Sequence, residues 1–344
     1  MGLQISEIIP KKEITIDSLN GKIIAVDAFN TLYQFLSNIR QPDGTPLMDS
    51  EQRITSHLSG LFYRTINLMN RGLKLIFVFD GKPPELKAST NLMRDEVKHK
   101  AEAKYEEAKD KGDEEGMGRY AKQFVRLNKE MIEESKELLE YMGVPVIQAN
   151  SEGESQASYI AKKGDAYAVS SQDYDSLLFG TPYLIQNLTF SRKRKLASGA
   201  FISVNPEIID LKNLLNILGI NHKQLICLGI LVGTDYNPGG VKGVGPKNAI
   251  KIVKEHKEPE KIFGFIEKSE KYVLDFKWKE IFDLFMNPDV KKSYEIKFKS
   301  MDKDKIKKLL VEKHEFNEER INSALEKSSK NRESLKQKNL DKWF

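Results

Sequence analysis

The stretch LKLIFVFDGKPP, residues 73–84, decides how the chain folds. Apart from Lys74, the residues before Asp80 are leucine, β-branched or aromatic, so both faces of the run are apolar. A short run of this kind is typical of a strand that is buried on both sides in a parallel sheet. The stretch therefore predicts a parallel strand that ends directly in a carboxylate.

Three further runs repeat this pattern of a short apolar strand followed by acid. They are KIIAVDA (22–28), which contains Asp27, VPVIQANSEGE (144–154), which leads into Glu152 and Glu154, and DAYAVSSQDYD (165–175), which leads into Asp173 and Asp175. Helical stretches lie between the runs. We therefore predict an α/β fold, in which βα repeats build a mostly parallel central sheet flanked by helices.

The acids that follow these strands are expected at one edge of the sheet. In open α/β sheets, ligands bind outside the carboxyl ends of the strands. Asp235, in LVGTDY, closes an apolar helix-like segment and is a candidate seventh member. Each acid alone could be a helix cap or a turn residue, but acid at four separate strand ends is hard to explain in that way. Clustered carboxylates repel each other and stay partly protonated, and bound divalent cations remove that penalty.

The expected metal is Mg²⁺, with Mn²⁺ as a surrogate, because this hard ion prefers carboxylate oxygens. Seven acids suit two ions about 4 Å apart, the arrangement that serves phosphoryl-transfer chemistry. The five histidines are scattered without the spacing of a zinc site. One cysteine, Cys227, excludes a disulfide framework and lies in an apolar run.

Overall composition narrows the class of protein. The chain of 344 residues has a formal net charge of +5, which permits binding to nucleic acid. No run of eighteen apolar residues predicts a transmembrane helix, and the first residues lack the apolar core of a signal peptide. We therefore expect a cytoplasmic protein without a membrane partner.

Residues 85–135 are predicted to form a helical arch. There is no proline between Glu85 and Val144, and the stretch is rich in Lys, Glu, Ala and Met. A solvated surface helix with i,i+4 ion pairs is the alternative interpretation. Its position directly after the acid-terminated strand favours an element beside the acidic edge, which offers Lys87 and Arg94 to a substrate.

The segment GGVKGVGPKNAIKIVKEH, residues 239–256, nearly matches an ATP-binding phosphate loop. Pro246 and Lys247 occupy the positions of its lysine and its Ser/Thr, so we reject ATP binding. The segment instead indicates a glycine hairpin that opens a helix with proline at its first position. Its backbone N–H groups, with Lys247 and Lys251, suit a phosphate. We predict a helix–hairpin–helix over residues 222–256 that grips a DNA backbone without reading bases; a plain helix start is the alternative.

Several stretches together resemble a known family. They are VDAFNTLYQFL (26–36), FYRTINLMNRGLKLIFVFDGKPPELK (62–87), SEGESQAS (151–158), SSQDYDSLLFG (170–180) and GTDYNPGGVKGVGPK (233–247). They resemble the flap endonucleases, structure-specific 5′ nucleases of replication and repair. The resemblance runs in order to about residue 260 and resumes at the tail. It implies Mg²⁺-dependent cleavage of 5′-flap DNA, with 5′–3′ exonuclease activity, in Okazaki fragment maturation and repair.

The resemblance also implies roles for individual residues. It assigns one metal ion mainly to Asp27, Asp80, Glu152 and Glu154, and the other mainly to Asp173, Asp175 and Asp235. Lys87 and Arg94 match catalytic residues that contact the scissile phosphate. The DNA contacts that it implies are Gly2, Tyr33, Arg40, Arg64, Glu152, Gly233, Asp235, Gly243, Gly245, Lys247 and Lys251. The hairpin matches a segment that binds K⁺ through backbone groups, although Gly239 and Gly240 depart from the serine-containing version.

The C-terminal stretch QKNLDKWF resembles a motif that binds the PCNA type of sliding clamp. Gln337, Leu340, Trp343 and Phe344 fill its positions, and a chain that ends on them resembles archaeal members. A short helical turn would place the last three on one face as a plug for a pocket.

These observations predict the domain organisation of a monomer. The expected regions are an N-terminal nuclease region (1–100), the arch (85–135), an internal nuclease region (120–260), a C-terminal helical region (261–328) and a flexible clamp-binding tail (329–344). A nuclease that prefers bubbles or gaps is the second candidate function. A non-catalytic DNA or clamp adaptor is a third, and the complete set of acids argues against it.

Overall fold

The computed structural model describes residues 3–41, 44–189, 193–195 and 201–340. Gly2, Trp343 and Phe344, which the sequence singles out as binding residues, lie outside these ranges. The strands within them are, in chain order, β1 (Lys12–Glu13), β2 (Ile23–Asp27), β3 (Lys74–Phe79), β4 (Val146–Gln148), β5 (Ala168–Ser170), β6 (Tyr183–Gln186), β7 (Lys193–Lys195), β8 (Phe201–Ser203) and β9 (Glu207–Asp210).

Seven of these strands form the central sheet, in the order β1-β9-β6-β5-β2-β3-β4. Strands β2 to β6 run parallel, which confirms the mostly parallel sheet predicted from the apolar runs. At one side β9 pairs antiparallel with β6, and β1 pairs antiparallel with β9, with Lys12 opposite Ile208. Strands β7 and β8 form a separate antiparallel ribbon.

The helices surround this sheet. They are α1 (Ala28–Asn38), α2 (Ser56–Asn70), α3 (Ala88–Asp110), α4 (Glu114–Ala121), α5 (Lys129–Tyr141), α6 (Gly153–Lys162), α7 (Asp175–Leu178), α8 (Leu211–Leu218), α9 (His222–Val232), α10 (Pro246–His256), α11 (Pro259–Lys268), α12 (Trp278–Met286), α13 (Lys303–Lys307) and α14 (Glu318–Leu340). Within the described ranges no single helix is long and apolar enough to cross a membrane; the bent pair α8 and α9 meets that test only by length and composition.

Two apolar clusters cover the two faces of the sheet. Side chains along a strand point alternately to opposite faces. In β3, Ile76 and Val78 accordingly join one cluster, with residues of α6 to α12. Leu75, Phe77 and Phe79 join the other, with residues of α1, α2, α5, α13 and α14. Burial on both faces explains why the strand is apolar almost throughout.

A buried polar network ties the C-terminal region to the nuclease core. The ring of His314 lies between two carboxylates, with 2.9 Å from Nδ1 to Asp49 Oδ2 and 2.9 Å from Nε2 to Glu134 Oε1. Arg53 Nε also donates to Asp49 Oδ2 at 2.7 Å, and Lys313 Nζ lies 2.7 Å from Glu134 Oε1. The side chains of His314, Asp49 and Glu134 are 1%, 0% and 7% exposed, so water does little to screen this contact.

Three parts of the chain differ from the simplest interpretation of the sequence. The basic stretch SRKRK, residues 191–195, favours a solvated hairpin turn, with a DNA contact as the alternative; its described residues, Lys193–Lys195, form the strand β7 and pair with Phe201–Ser203. Residues 287–302, inside the predicted C-terminal helical region, contain neither helix nor strand. The backbone of the predicted flexible tail is helical up to Leu340, in keeping with its lysine- and glutamate-rich sequence. The flexibility of that tail stays a prediction.

Candidate active site

Acidic side chains gather at the carboxyl edge of the sheet, as the sequence predicts. Strands β5, β2, β3 and β4 are neighbours, so the residues that follow them meet at one edge. A cleft of about 660 Å³ lies between this edge and the helices that begin after residue 87. The predicted metal ligands that line it are Asp27, Asp80, Glu152, Glu154, Asp173 and Asp235, and Asp95 of α3 also lines it. The remaining predicted ligand, Asp175, begins α7 and is 1% exposed.

Local structure fixes the position of two of these carboxylates. Asp27 ends β2 and caps α1, because its Oδ1 accepts a hydrogen bond from the backbone N–H of Asn30 at 3.0 Å. Asp80 lies against the N-terminus of α6, where Gly153 N donates to its Oδ1 at 2.7 Å. A Cβ atom at Gly153 would lie 2.6 Å from the same oxygen, so the close approach depends on glycine.

Asp173, the acid that follows the neighbouring strand β5, is held through Asn30 and Ser171. Asn30 Nδ2 donates to Asp173 Oδ2 at 2.8 Å, which links the α1 end of β2 to the loop after β5. The hydroxyl of Ser171 donates to Asp27 Oδ2 at 3.2 Å and accepts from Asp173 N at 3.3 Å. Both contacts draw the ends of β2 and β5 together.

Burial and mutual repulsion raise the proton affinity of most of the acids. Burial first, and then the charge of Asp80, raises the pKa of Asp27 to about 7. Burial, with the charges of Asp235 and Asp173, raises the pKa of Asp175 to about 8. The pKa of Glu154 is also raised, by burial and then by Asp175. A cluster with these properties favours a bound cation, which would remove the repulsion.

Two basic side chains of the arch lie on the acidic edge. Lys87 Nζ pairs with Glu152 Oε1 and lies 3.1 Å from Asp235 Oδ2. Arg94 Nη2 donates to both oxygens of Asp235, at 2.7 and 2.8 Å. Burial alone would raise the pKa of Asp235, but Lys87 and Arg94 hold it below the ordinary value. Thr90, between them on the same face, donates to the Asp235 carbonyl, so the base of α3 rests on this residue.

The residues of the site suit a divalent cation chemically. Glu154 Oε2 and Asp175 Oδ1 are buried and have no hydrogen-bond partner among the described residues. Buried carboxylate oxygens without a partner are costly unless a cation or a proton occupies them. Within the described ranges no three ligating side chains already have the geometry of a metal site, and Lys87 lies on two of the carboxylates. The donor set is oxygen only, which Mg²⁺ and Mn²⁺ prefer.

Of the predicted DNA-contacting residues in the N-terminal region, Tyr33 lies in the cleft, and Arg40 and Arg64 lie outside it. Tyr33 lines the cleft, and Lys98 Nζ lies 5.6 Å from the centre of its ring. Arg40 lies outside the cleft, where its Nη1 donates to Gly44 O at 2.7 Å. Arg64 is half-buried on α2. Burial lowers the pKa of both arginines.

Helices α9 and α10 form the predicted helix–hairpin–helix. Gly233 ends α9 at φ +111° and Gly245 precedes Pro246 at the start of α10. Gly240 has φ +58°, and a Cβ there would lie 2.4 Å from Leu231 O, so the hairpin packs too tightly for a side chain. Exposed residues of the turn and of α10 include Gly243, Lys247 and Lys251. The first turn of α10 therefore presents N–H groups and ammonium groups on one surface.

The residues of the site that were not identified from the sequence include Asn30, Thr90, Ser171 and Tyr236. Tyr236 is buried, and its hydroxyl donates to Glu152 Oε2, so it orients a predicted metal ligand. Asn30 and Tyr236 are close in sequence to an acid of the site, and both fall inside the stretches that carry the family resemblance. Of the tail motif, Gln337 and Leu340 lie on α14, and the two aromatic residues lie outside the described ranges.

Comparisons with known proteins agree with this geometry. Residues 2–101 match the XPG N-terminal domain and residues 143–235 match the XPG I-region. Flap endonuclease 1 of Aeropyrum pernix is 50% identical over 351 residues, and that of Staphylothermus marinus is 51% identical over 352; both alignments cover all of this chain and all of the relative.

Solved structures show the same fold. Flap endonuclease-1 from Methanococcus jannaschii has 42% identity and a TM-score of 0.76, over 96% of this chain and 98% of that one. The catalytic core of Rad2 in complex with DNA substrate has 23% identity and a TM-score of 0.72, over 95% of this chain and 100% of that one. At that identity the second likeness supports the fold alone.

Proposed function

The chain belongs to the flap endonuclease 1 family, and we propose that its carboxylates bind two divalent cations with which it cleaves branched DNA at the base of a 5′ flap. About half of its residues are identical to those of flap endonuclease 1 relatives along the whole length of both chains. The protein is a structure-specific 5′-flap nuclease, a DNA endonuclease that hydrolyses a phosphodiester bond. The proposal concerns the residues, ions and partners with which it acts.

The observation that carries the proposal is the set of buried carboxylates at four neighbouring strand ends, faced by Lys87 and Arg94. Asp27, Asp80, Glu152 and Glu154 would hold mainly one Mg²⁺ or Mn²⁺ ion, and Asp173, Asp175 and Asp235 mainly the other. When bound, two such ions supply a hydroxide nucleophile and stabilise the leaving oxygen. Five of the seven carboxylates that would hold the ions are buried: Asp27, Glu152, Glu154, Asp175 and Asp235.

The protein's own side chains then have distinct tasks. Lys87 and Arg94 would exchange their carboxylate partners for the scissile phosphate and stabilise the negative charge that develops on it. Tyr236 holds one oxygen of Glu152 while the other faces Lys87. Tyr33, on the wall of the cleft, would stack on a base next to that phosphate.

Binding of the duplex is assigned to a separate surface. The first turn of α10, with Lys247 and Lys251, would grip one backbone without reading sequence. Arg40 and Arg64 would contact another part of the branched DNA. A K⁺ ion bound by backbone groups of the hairpin would add positive charge to the duplex-binding surface. Residues 337–344 would recruit a PCNA-type sliding clamp to a monomeric enzyme.

Cleavage assays on matched substrates test the proposal. Labelled 5′-flap, bubble, gapped and nicked duplexes of one sequence are incubated with the protein in Mg²⁺, with Asp175→Asn as the inactive variant. Asp275→Asn, an exposed carboxylate outside the cleft, is the control. We expect the flap to be cut fastest, and Asp175→Asn to bind it without cutting. Faster cutting of bubbles or gaps would support the second candidate function, and an active Asp175→Asn would refute the metal assignment.

A further inference from the structure

Asn30 bridges two halves of the acidic site and uses every polar group of its side chain to do so. Its Nδ2 donates to Asp173 Oδ2 at 2.8 Å, and its Oδ1 accepts from Gln172 N at 3.2 Å. Its own backbone N–H donates to Asp27 Oδ1 at 3.0 Å. One residue of α1 thus contacts a carboxylate from each of two neighbouring strands.

The chemistry of an amide is needed for this bridge. The carboxylate of Asp173 requires a donor and the backbone N–H of Gln172 requires an acceptor, so the two ends of the amide are assigned without ambiguity. An aspartate would place a second negative charge against Asp173, and an apolar residue would satisfy neither group. Asn30 lines the same cleft as the acids.

We propose that Asn30 is a positioning residue of the metal site, which holds the Asp173 carboxylate in the orientation that a divalent cation requires. The inference rests on the proposed function of the acids, and it adds a residue that does not itself touch the metal. Because Asn30 also fixes the backbone at Gln172, it sets where the loop after β5 places both Asp173 and Asp175. Outer partners of this kind typically contribute about tenfold to a hundredfold to metal affinity.

Calorimetric titration of the full-length protein with Mn²⁺, without DNA, tests the inference independently of catalysis. The variants are Asn30→Leu, which keeps the size of the side chain, and Asn30→Ala, which serves if the leucine variant does not fold. Asn38→Leu on the same helix is the matched control, because that side chain is exposed and donates to the backbone oxygen of Gln34. Asp173→Asn removes the charge of the predicted metal ligand and shows whether Asp173 itself contributes to Mn²⁺ binding.

We expect Asn30→Leu and Asn30→Ala to weaken Mn²⁺ binding by about tenfold to a hundredfold, while Asn38→Leu binds like the unmodified protein. In single-turnover cleavage, the Asn30 variants should need more Mg²⁺ and recover rate as Mg²⁺ is raised, with flap binding unchanged. If Asp173→Asn weakens Mn²⁺ binding but both Asn30 variants stay within twofold of the unmodified protein, Asn30 is only structural and the inference is wrong. If Asp173→Asn itself binds Mn²⁺ normally, the metal assignment fails instead.

Discussion

Replacement of His314 by leucine should destabilise the fold without touching the active site. The histidine joins the segment before α14 to Asp49, in the loop before α2, and to Glu134 on α5. Leucine fills a similar volume but donates no hydrogen bond. Two buried carboxylates would each lose a charge-assisted partner, although Arg53 and Lys313 would remain on them.

The size of the effect follows from burial. Removal of one partner from a buried ionic contact costs about 3–5 kcal/mol, and a hydrogen bond to a charged group contributes about 1.5–3 kcal/mol. Since each carboxylate keeps one cation, the lower end applies. We expect the free energy of unfolding to fall by about 3 kcal/mol near pH 5–6.5.

The pH dependence gives a second, sharper test. Burial would lower the pKa of His314, but its bonds to Glu134 and Asp49 raise it above 6.5. The stabilisation is therefore complete below pH 6.5 and is lost as the pH rises through the raised value. Burial would raise the pKa of Asp49 and of Glu134, but His314 and the other partners of these carboxyls lower both values to about 2. The stabilisation that these two carboxylates contribute is therefore lost as the pH falls from about 4 towards 2.

Urea unfolding of the unmodified protein and of His314→Leu, from pH 3 to pH 9, measures this difference. It should be largest near pH 5–6.5 and shrink on either side. Burial lowers the pKa of His57 to about 4, and the charges of Glu134 and His314 also act on it, so its titration contributes to the difference at the acidic end of the range. The control is His99→Leu, at a side chain that is 67% exposed. A difference below about 1 kcal/mol, or one that is flat from pH 5 to pH 9, would refute the reasoning.

Three other predictions concern catalysis and binding. Lys87→Ala should reduce single-turnover cleavage by about a hundredfold or more but change flap affinity little, because the charge on the phosphate is greatest in the transition state. Lys111→Ala is the control. A raised KM with an unchanged kcat would contradict this prediction. Lys247→Ala should weaken binding to all duplexes alike and reduce the slope of log affinity against log salt concentration by about one unit. Lys303→Ala is the control and should change neither. A loss of binding confined to some sequences would show that the hairpin reads bases. Deletion of residues 337–344 should leave cleavage of small flaps intact and abolish stimulation by the clamp; a lower melting temperature with clamp binding retained would mean that the tail is structural.

The strands and their acids could be predicted because both signals are local. A strand buried on two faces must be apolar throughout, as in β3, and the residue after it must lie at the sheet edge. The fold class is confirmed on this basis, and Asp27, Asp80 and Glu152 line one cleft at that edge. The two-residue strand β1 is too short to leave such a pattern.

The contacts that orient the acids could not be predicted because they depend on tertiary structure. Asn30 and Tyr236 are ordinary polar residues in sequence, and only the packing of β2 against β5, or of the α9 loop against α6, gives them a carboxylate to hold. The pairing of Lys87 with Glu152 and Asp235 likewise depends on the position of α3. The signal that was available was proximity in sequence to an acid, which many surface residues share.

The pairing of β1 with β9 has a consequence for synthesis on the ribosome. Lys12 is made early, but its partner Ile208 emerges only after most of the chain, and β2 likewise gains β5 long after β3. Since a domain folds as a unit, the nascent chain cannot complete this sheet until β9 is available. Asp235 is made later still. A prematurely terminated product that lacks these residues carries only part of the carboxylate set, so under the proposed metal assignment we expect such fragments to be inactive as nucleases.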